Sequence, residues 1–261
     1  PEYIEHKMRM FGKAFDNAFI TADIIQVIST FLGNWAKSKG FAGEPTLIPN
    51  AVNTAHFTQE YSETELQAAR TELGKKPGDV FLVTTSRLVK KNATDDVINA
   101  IAQLPENVHF VVYGTGPDEA MLRALTATLN IEERVHFLGH IEHAVMPKYL
   151  KACDIFIRPS RSEGMGNSFV EAMAAEIPVI ATQEGGIADF LFDEVKNPDT
   201  ETTGWAVAAD SPDDIAVAVR DIMARPEKVA SVTKTAKAMV IAKYDWDLIA
   251  TQMKEKVFSQ I

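Results

Sequence analysis

Cysteine is almost missing from this sequence: Cys153 is the single thiol among 261 residues. One cysteine cannot close an internal disulfide, and the run Lys151-Ala152-Cys153-Asp154-Ile155 reads as a small buried residue of a chain kept reduced in the cytoplasm. Long apolar runs are missing too. None approaches the roughly 18 residues that a bilayer-spanning helix needs, which leaves only peripheral contact at the cytoplasmic membrane face. Basic residues are outnumbered, 26 Lys and Arg against 36 Asp and Glu, for a formal net charge of -10. No nucleic-acid partner is expected, because neutralising a phosphate backbone takes a clustered excess of cations. Any phosphate site must be local. Low-complexity tracts and internal repeats are absent. The opening residues, with Glu2 and Glu5 early, lack the basic-then-apolar order of a secretory leader. The helical pattern after Pro1 has no strand, turn or cap before it, and a trimmed start is expected.

What the sequence does have is apolar material: 46% hydrophobic and 24% charged residues fit a packed globular core. The length exceeds one typical domain of about 100 to 150 residues, yet is short for a two-domain enzyme, so one full domain plus a remnant is expected. Over residues 3–20, Tyr3, Met10, Phe11, Ala14, Phe15, Ala18 and Phe19 recur at near-helical spacing, and Phe11, Phe15 and Phe19 read as core. Ala22 to Ile28 reads as a short buried strand, Ser29 to Ser38 as a helix ended by Gly40, and Thr46 to Asn50 as a second short strand closed by a Pro-Asn turn. This section is expected to lack a sheet of its own.

From Val80 onward short apolar runs alternate with amphipathic stretches. Strands are predicted at 80–85, 108–113, 135–138, 155–157, 179–181 and 205–207, with helices near 93–103, 117–129, 143–152 and 168–175 and more helix after 212. Parallel neighbours need crossovers, and crossovers are usually helical, so the fold class is α/β: a doubly wound, Rossmann-like parallel sheet covered on both faces. Ligands of such sheets sit beyond the carboxyl ends of the strands. The loops after 85, 113, 138, 157 and 181 are where chemistry is sought.

The most informative stretch is Pro159-Ser160-Arg161-Ser162-Glu163-Gly164-Met165-Gly166-Asn167-Ser168-Phe169-Val170-Glu171. It leaves a strand, turns through two glycines and enters a helix. Gly164 and Gly166 let the backbone approach a ligand, Met165 lies between them, and the amides near Asn167 and Ser168 offer unpaired donors at a positive dipole end, an anion site suited to a diphosphate. Glu163 and Glu171 can face one cleft and accept hydrogen bonds from sugar hydroxyls. Two plainer readings stand beside this one: Ser168 and Glu171 have the S-x-x-E spacing of a capping box, and Glu163 can be solvated.

Here the chain resembles the retaining nucleotide-sugar glycosyltransferases of family 4, the glycosyl transferases group 1, whose GT-B donor domain carries two glutamates at this spacing in this context. Four further stretches match in family order: Leu47-Ile48-Pro49-Asn50-Ala51-Val52-Asn53, Ser86-Arg87-Leu88-Val89-Lys90-Lys91-Asn92, Tyr113-Gly114-Thr115-Gly116-Pro117 and Pro178-Val179-Ile180-Ala181-Thr182 followed by Gly185-Gly186. Ala51 and Asn53 depart from the usual Gly and Asp, and Ala93 stands where a Gly often follows Lys-Asn. The resemblance implies that residues 1–50 are a remnant of an N-terminal acceptor domain, 51–244 the donor domain, and 245–261 a helix returning to the first domain. Arg87 and Lys91 would reach the donor diphosphate, Glu163 and the amides from Gly164 to Ser168 would hold sugar and phosphate, and Glu171 would hold the ribose. Gly114 and Gly116 would turn beside the diphosphate, and His140 and Ile141 would meet the base. The catalytic set is then Arg87, Lys91 and Glu163. Fixed cations aimed at charge developing on a leaving group suit that role; without the resemblance Arg87 and Lys91 also read as a solvated helix start.

Other motifs carry less. Gly114-Thr115-Gly116-Pro117 fails as a dinucleotide fingerprint, since position 119 is Glu, and a structural turn alone accounts for it as well; no Walker-type loop exists. His140 and His143 hint at metal, but no further ligand completes a set, and neither metal nor cofactor is expected. Asp245-Trp246-Asp247 precedes a helix, where Asp is a natural cap. The function implied is transfer of a sugar from a nucleoside-diphosphate sugar to a glycan, lipid or small-molecule acceptor, the fragment alone being inactive. An epimerase or phosphorylase of the same architecture and a non-catalytic sugar-nucleotide module are the rivals. Pairing with a second copy of the chain stays open.

Overall fold

The computed structural model describes residues 12–260. It opens on helix α1 (Lys13–Ile20), strand β1 (Gln26–Val27), helix α2 (Thr30–Ser38) and strand β2 (Thr46–Leu47). Two expectations need correcting here. The strand expected over 22–28 is reduced to two residues, and the section does have a sheet: β1 and β2 pair in parallel, with the Thr46 and Ile48 amides donating to the Ile25 and Val27 carbonyls at 2.8 and 2.9 Å. Helix α2 makes this possible, because it is the crossover a parallel pair requires. The Ser29 hydroxyl caps α2 by accepting from the Leu32 amide. Phe15 and Phe19 pack against Trp35 with ring centroids 6.2 and 5.2 Å apart, but α1 has no fully buried residue. Tyr3, Met10 and Phe11 lie outside the described residues.

Two helices missed by the sequence reading follow, α3 (Thr54–Thr58) and α4 (Glu63–Glu72). Asn53 caps α3, its side chain accepting from the His56 amide, so Asn does here what an Asp would do. Ser62 and Glu65 form a capping box at α4. Then comes the sheet domain: β3 (Val80–Thr85), α5 (Thr94–Ile101), β4 (Val108–Tyr113), α6 (Glu119–Thr128), β5 (Val135–Gly139), α7 (Met146–Ala152), β6 (Ile155–Arg158), α8 (Asn167–Ala174), β7 (Val179–Ala181), β8 (Trp205–Ala206), α9 (Pro212–Ala224), α10 (Pro226–Tyr244) and α11 (Trp246–Lys256).

Its six strands are all parallel, in the order β5-β4-β3-β6-β7-β8. The period of two along each strand divides the core. Phe81, Val83, Val111 and Phe156 face one apolar layer with Phe169, Val170 and Val240, whereas Leu82, Phe110, Val112, Ile155 and Ile157 face the other with Ile98, Ile101 and Val219. Both faces are therefore roofed by helices, as continuous apolar strands demand. From β3 the chain winds outward to β5, then returns to β6 on the opposite side of β3. The strand order reverses between β3 and β6, and it is beyond the carboxyl ends of the strands at such a switch point that ligands of doubly wound sheets bind.

The C-terminal helix reaches back to the opening section. Ile48 is buried against Ile249 and Val257, and the Val52 amide donates to the Tyr244 carbonyl at 2.9 Å. Asp245 caps α11, accepting from the Asp247 amide, and also accepts from the Thr54 hydroxyl. No helix among the described residues is long and apolar enough to cross a membrane.

Candidate functional site

The crevice at the switch point is built by two loops. The first follows β3. Its Ser86 and Leu88 amides donate to the Tyr113 and Thr115 carbonyls, both at 3.0 Å, which lays it directly on the turn after β4. That contact explains Gly114 and Gly116: a Cβ would lie 1.8 Å from the Ser86 carbonyl oxygen in one case and 2.2 Å from that of Leu88 in the other. The two glycines serve first to seat the loop that carries Arg87. Beyond it, Lys90–Asn92 forms a single 3-10 turn closed by Ala93 at φ 55°, and the Asn92 side chain donates to the Arg87 carbonyl at 2.7 Å. Arg87 is exposed, with no acidic partner among the described residues.

The second loop follows β6 and enters α8. Gly166 is the N-cap at φ 84°, where a Cβ would meet Arg158 Nη2 at 2.5 Å and the Phe169 ring at 2.6 Å. No side chain caps this helix start, so its first amides stay available to a ligand. Ser168 is the second helical residue, two positions too late to cap. The capping-box reading of Ser168 and Glu171 therefore fails, because the left-handed Gly166 begins the helix early.

Glu163 is firmly held rather than solvated. Its Oε2 accepts from Arg158 Nη2 at 2.6 Å and from Lys91 Nζ at 3.2 Å, its Oε1 from the Gly164 amide at 3.0 Å, and its carbonyl from the Gly186 amide at 3.0 Å. Lys91 and Glu163, 72 residues apart, thus join the two loops across the crevice. Beneath them lies Arg158, which sequence reasoning missed. It is buried at the end of β6, donates to Ser160 and Ser168 hydroxyls at 3.1 and 2.9 Å, and stacks 4.2 Å from the Phe169 ring. Burial pushes its pKa down; Glu163 and Glu171 oppose the shift. A charged residue ending an otherwise apolar strand was the available signal.

Glu171 lies one helical turn further in, its side chain 15% exposed, with His143 Nε2 at 3.6 Å. Burial raises its pKa, against the pull of His143, Arg158 and His56. The His143 ring stacks on that of His56 at 5.2 Å, and His56 Nε2 donates to the His143 carbonyl at 2.9 Å. His140 turns away, exposed, toward Glu142, so the two histidines do not converge. No three His, Cys, Asp or Glu side chains gather as a metal cage among the described residues. Ile141 is buried in the core. Met165 is buried too, its sulfur accepting from the Asn50 amide at 3.2 Å, and Asn167 donates to the Ala51 carbonyl at 3.4 Å. Lys91, Arg158 and Glu163 thus meet beside an uncapped helix start, with Glu171 further along that helix and Arg87 exposed on the adjoining loop, while the chain as a whole is acidic.

The profile of one protein family, described as glycosyl transferases group 1, matches residues 66–239. The chain belongs to that family. The glycosyl transferases group 1 match takes in β3 to β8 and both site loops. Among relatives, the chain is 28% identical over 243 residues to a GDP-mannose-dependent monoacylated alpha-(1-6)-phosphatidylinositol monomannoside mannosyltransferase of Corynebacterium glutamicum, covering 88% of this chain and 61% of that one. It is 33% identical over 173 residues to the lipopolysaccharide core biosynthesis mannosyltransferase LpsB of Rhizobium meliloti, covering 63% and 46%. Among solved structures, Anabaena HepE in complex with UDP-glucose superposes with a TM-score of 0.84 at 23% identity, over 93% of this chain and 65% of that one. This likeness shows the fold, the GT-B type of Rossmann-like sheet. The chain spans about three fifths of the length of the first mannosyltransferase it matches.

Proposed function

We propose that the chain is the donor-binding part of a retaining glycosyltransferase that moves a sugar from a nucleoside-diphosphate sugar to an acceptor hydroxyl. The observation that carries this reading is the meeting of Lys91 and Glu163 at 3.2 Å across the switch point, beside the open amides of α8. In this reading the diphosphate sits on the amides between Gly164 and Ser168, with Arg87 and Lys91 neutralising the charge that builds on the departing nucleoside diphosphate. Glu163, kept in place by Arg158, accepts from the transferred sugar, and Glu171 accepts from the ribose. As the bond from the anomeric carbon to the diphosphate oxygen breaks, the sugar becomes oxocarbenium-like, and the acceptor hydroxyl oxygen adds on the face the leaving group vacates, its proton passing to the departing diphosphate oxygen.

Residues 1–50 would be the edge of an acceptor domain, with 245–261 bridging to it. One named relative is a GDP-mannose-dependent phosphatidylinositol monomannoside mannosyltransferase and another a lipopolysaccharide core biosynthesis mannosyltransferase, which favours a glycan or lipid acceptor reached at the cytoplasmic membrane face. Melting this chain against a panel of UDP-, GDP- and ADP-sugars tests the donor half, since a ligand selective for the folded state raises the midpoint by mass action. One sugar nucleotide is expected to raise it by several degrees at a hundredfold excess over Kd, and no shift with any of them overturns the proposal. For the reaction itself, the longer protein is expected to give a product of unchanged anomeric configuration by NMR, and this chain alone no transfer.

A further inference from the structure

Arg161 stands two residues before Glu163, and its guanidinium has no donor left over. Nε donates to Asp210 Oδ1 at 2.5 Å; Nη1 to the Lys90 carbonyl at 2.6 Å and Asp95 Oδ1 at 2.8 Å; Nη2 to Asp95 Oδ2 at 3.0 Å and Asp96 Oδ2 at 2.8 Å. A guanidinium carries five N–H groups in a fixed plane, and all are used. The Arg161 backbone amide adds a bond to the Lys91 carbonyl at 2.8 Å. One residue of the Glu163 loop thereby grips the Lys90–Asn92 turn, the first turn of α5 and the segment ahead of α9.

The grip falls on the turn that carries Lys91. Lys91 is half exposed, its side-chain nitrogen pairs only with Glu163 among the described residues, and its backbone belongs to one 3-10 turn. Arg161, by contrast, is 18% exposed, and its partners Asp95 and Asp96 are 30% and 10% exposed, so these pairs are not the loosely held surface kind, whereas Asp210 is exposed. Its bonds to Asp95, ahead of those to Asp210, raise its own pKa, and Asp96 is pushed up to about 6 by burial despite the opposing pull of Arg161.

We propose that Arg161 is a positioning residue for Lys91, fixing the Lys90–Asn92 turn so that the lysine meets the donor diphosphate at the Glu163 side of the crevice. This rests on the reading of Lys91 as a diphosphate ligand. A misplacement of about 1 Å in a supporting loop is enough to lose much of a charge-assisted contact, and a planar fork with five filled acceptors resists it in a way an ammonium cannot.

The test is a double-mutant cycle read by calorimetry with UDP and GDP as probes, on the parent, Arg161→Gln, Lys91→Ala and the double variant, with a thermal melt of each. Arg161→Gln is expected to weaken binding of whichever diphosphate binds the parent by about tenfold, and to cost nothing further once Lys91 is gone, because residues acting through one contact are non-additive. Arg161→Lys is expected to stay near the Arg161→Gln level. Full recovery by lysine, or losses that add in the double variant, overturns the inference. Unchanged affinity in Lys91→Ala overturns the underlying reading of Lys91 instead. Should Arg161→Gln not fold, Asp95→Asn carries the same cycle, with a two- to fivefold loss expected alone and none in the Lys91→Ala background; additivity there overturns the inference equally.

Discussion

At the scale of single residues, the site is a problem of buried charge. Arg158 and Glu163 are each largely removed from water and stand 2.6 Å apart; losing either would strand the other, a change that typically costs about 3 to 5 kcal/mol. Glu171 has a weaker partner, and burial has raised its pKa. A carboxyl whose folded pKa exceeds its unfolded value contributes stability below the unfolded pKa and loses it as pH rises through the folded one. Glu171→Gln removes that loss. The midpoint of the variant relative to the parent is therefore expected to rise from the ordinary carboxyl value of 4.5 upward, while nucleoside-diphosphate affinity falls roughly tenfold through loss of a charged acceptor. Melting curves across pH and calorimetry at pH 7 check the two halves. Parallel melting curves with unchanged affinity would contradict both.

At the scale of elements, the sheet was legible because its strands are short apolar runs separated by helices of the right length. Val80–Thr85, Val108–Tyr113 and Val179–Ala181 stand where the pattern put them, and the loops expected to carry chemistry are those that meet. Elements with little apolar signal were not legible. β1 and β2 were read as strands, but at two residues each their parallel pairing was not, and the short helix α3, whose cap is an Asn, was not read at all. The start of α8 was misread for a different reason: nothing in the order Gly-Asn-Ser says that Gly166 adopts φ 84° and moves the cap two residues upstream. Arg158 escaped because its role depends on a loop that folds back over it.

Ala93 offers a test at the same scale. It holds φ 55° and ψ 37° between the Lys91 turn and α5, a conformation that costs an L-residue roughly 1 to 2 kcal/mol. Glycine avoids that cost but loses about 0.5 to 1 kcal/mol in chain entropy. Ala93→Gly is expected to stabilise by about 0.5 kcal/mol in urea unfolding with an unchanged slope. A loss of more than 1 kcal/mol would mean that the buried Ala93 methyl group outweighs the backbone term.

At the scale of the whole molecule, an acidic protein has gathered Arg87, Lys91 and Arg158 where the strand order reverses, and has set two carboxylates among them. The sheet topology places the β3 and β6 loops side by side although Lys91 and Glu163 are 72 residues apart, and the opening section is tied to the far end of the chain through Ile48 and Ile249. The central claim is that this crevice holds a diphosphate. The most direct test is calorimetric titration of the parent, Arg87→Ala and Lys91→Ala with a nucleoside diphosphate and with its nucleoside. One diphosphate is expected to bind the parent at one site per chain and each variant at least tenfold more weakly, with the weak binding of the nucleoside unaltered. Equal diphosphate affinity in all three proteins would contradict the account.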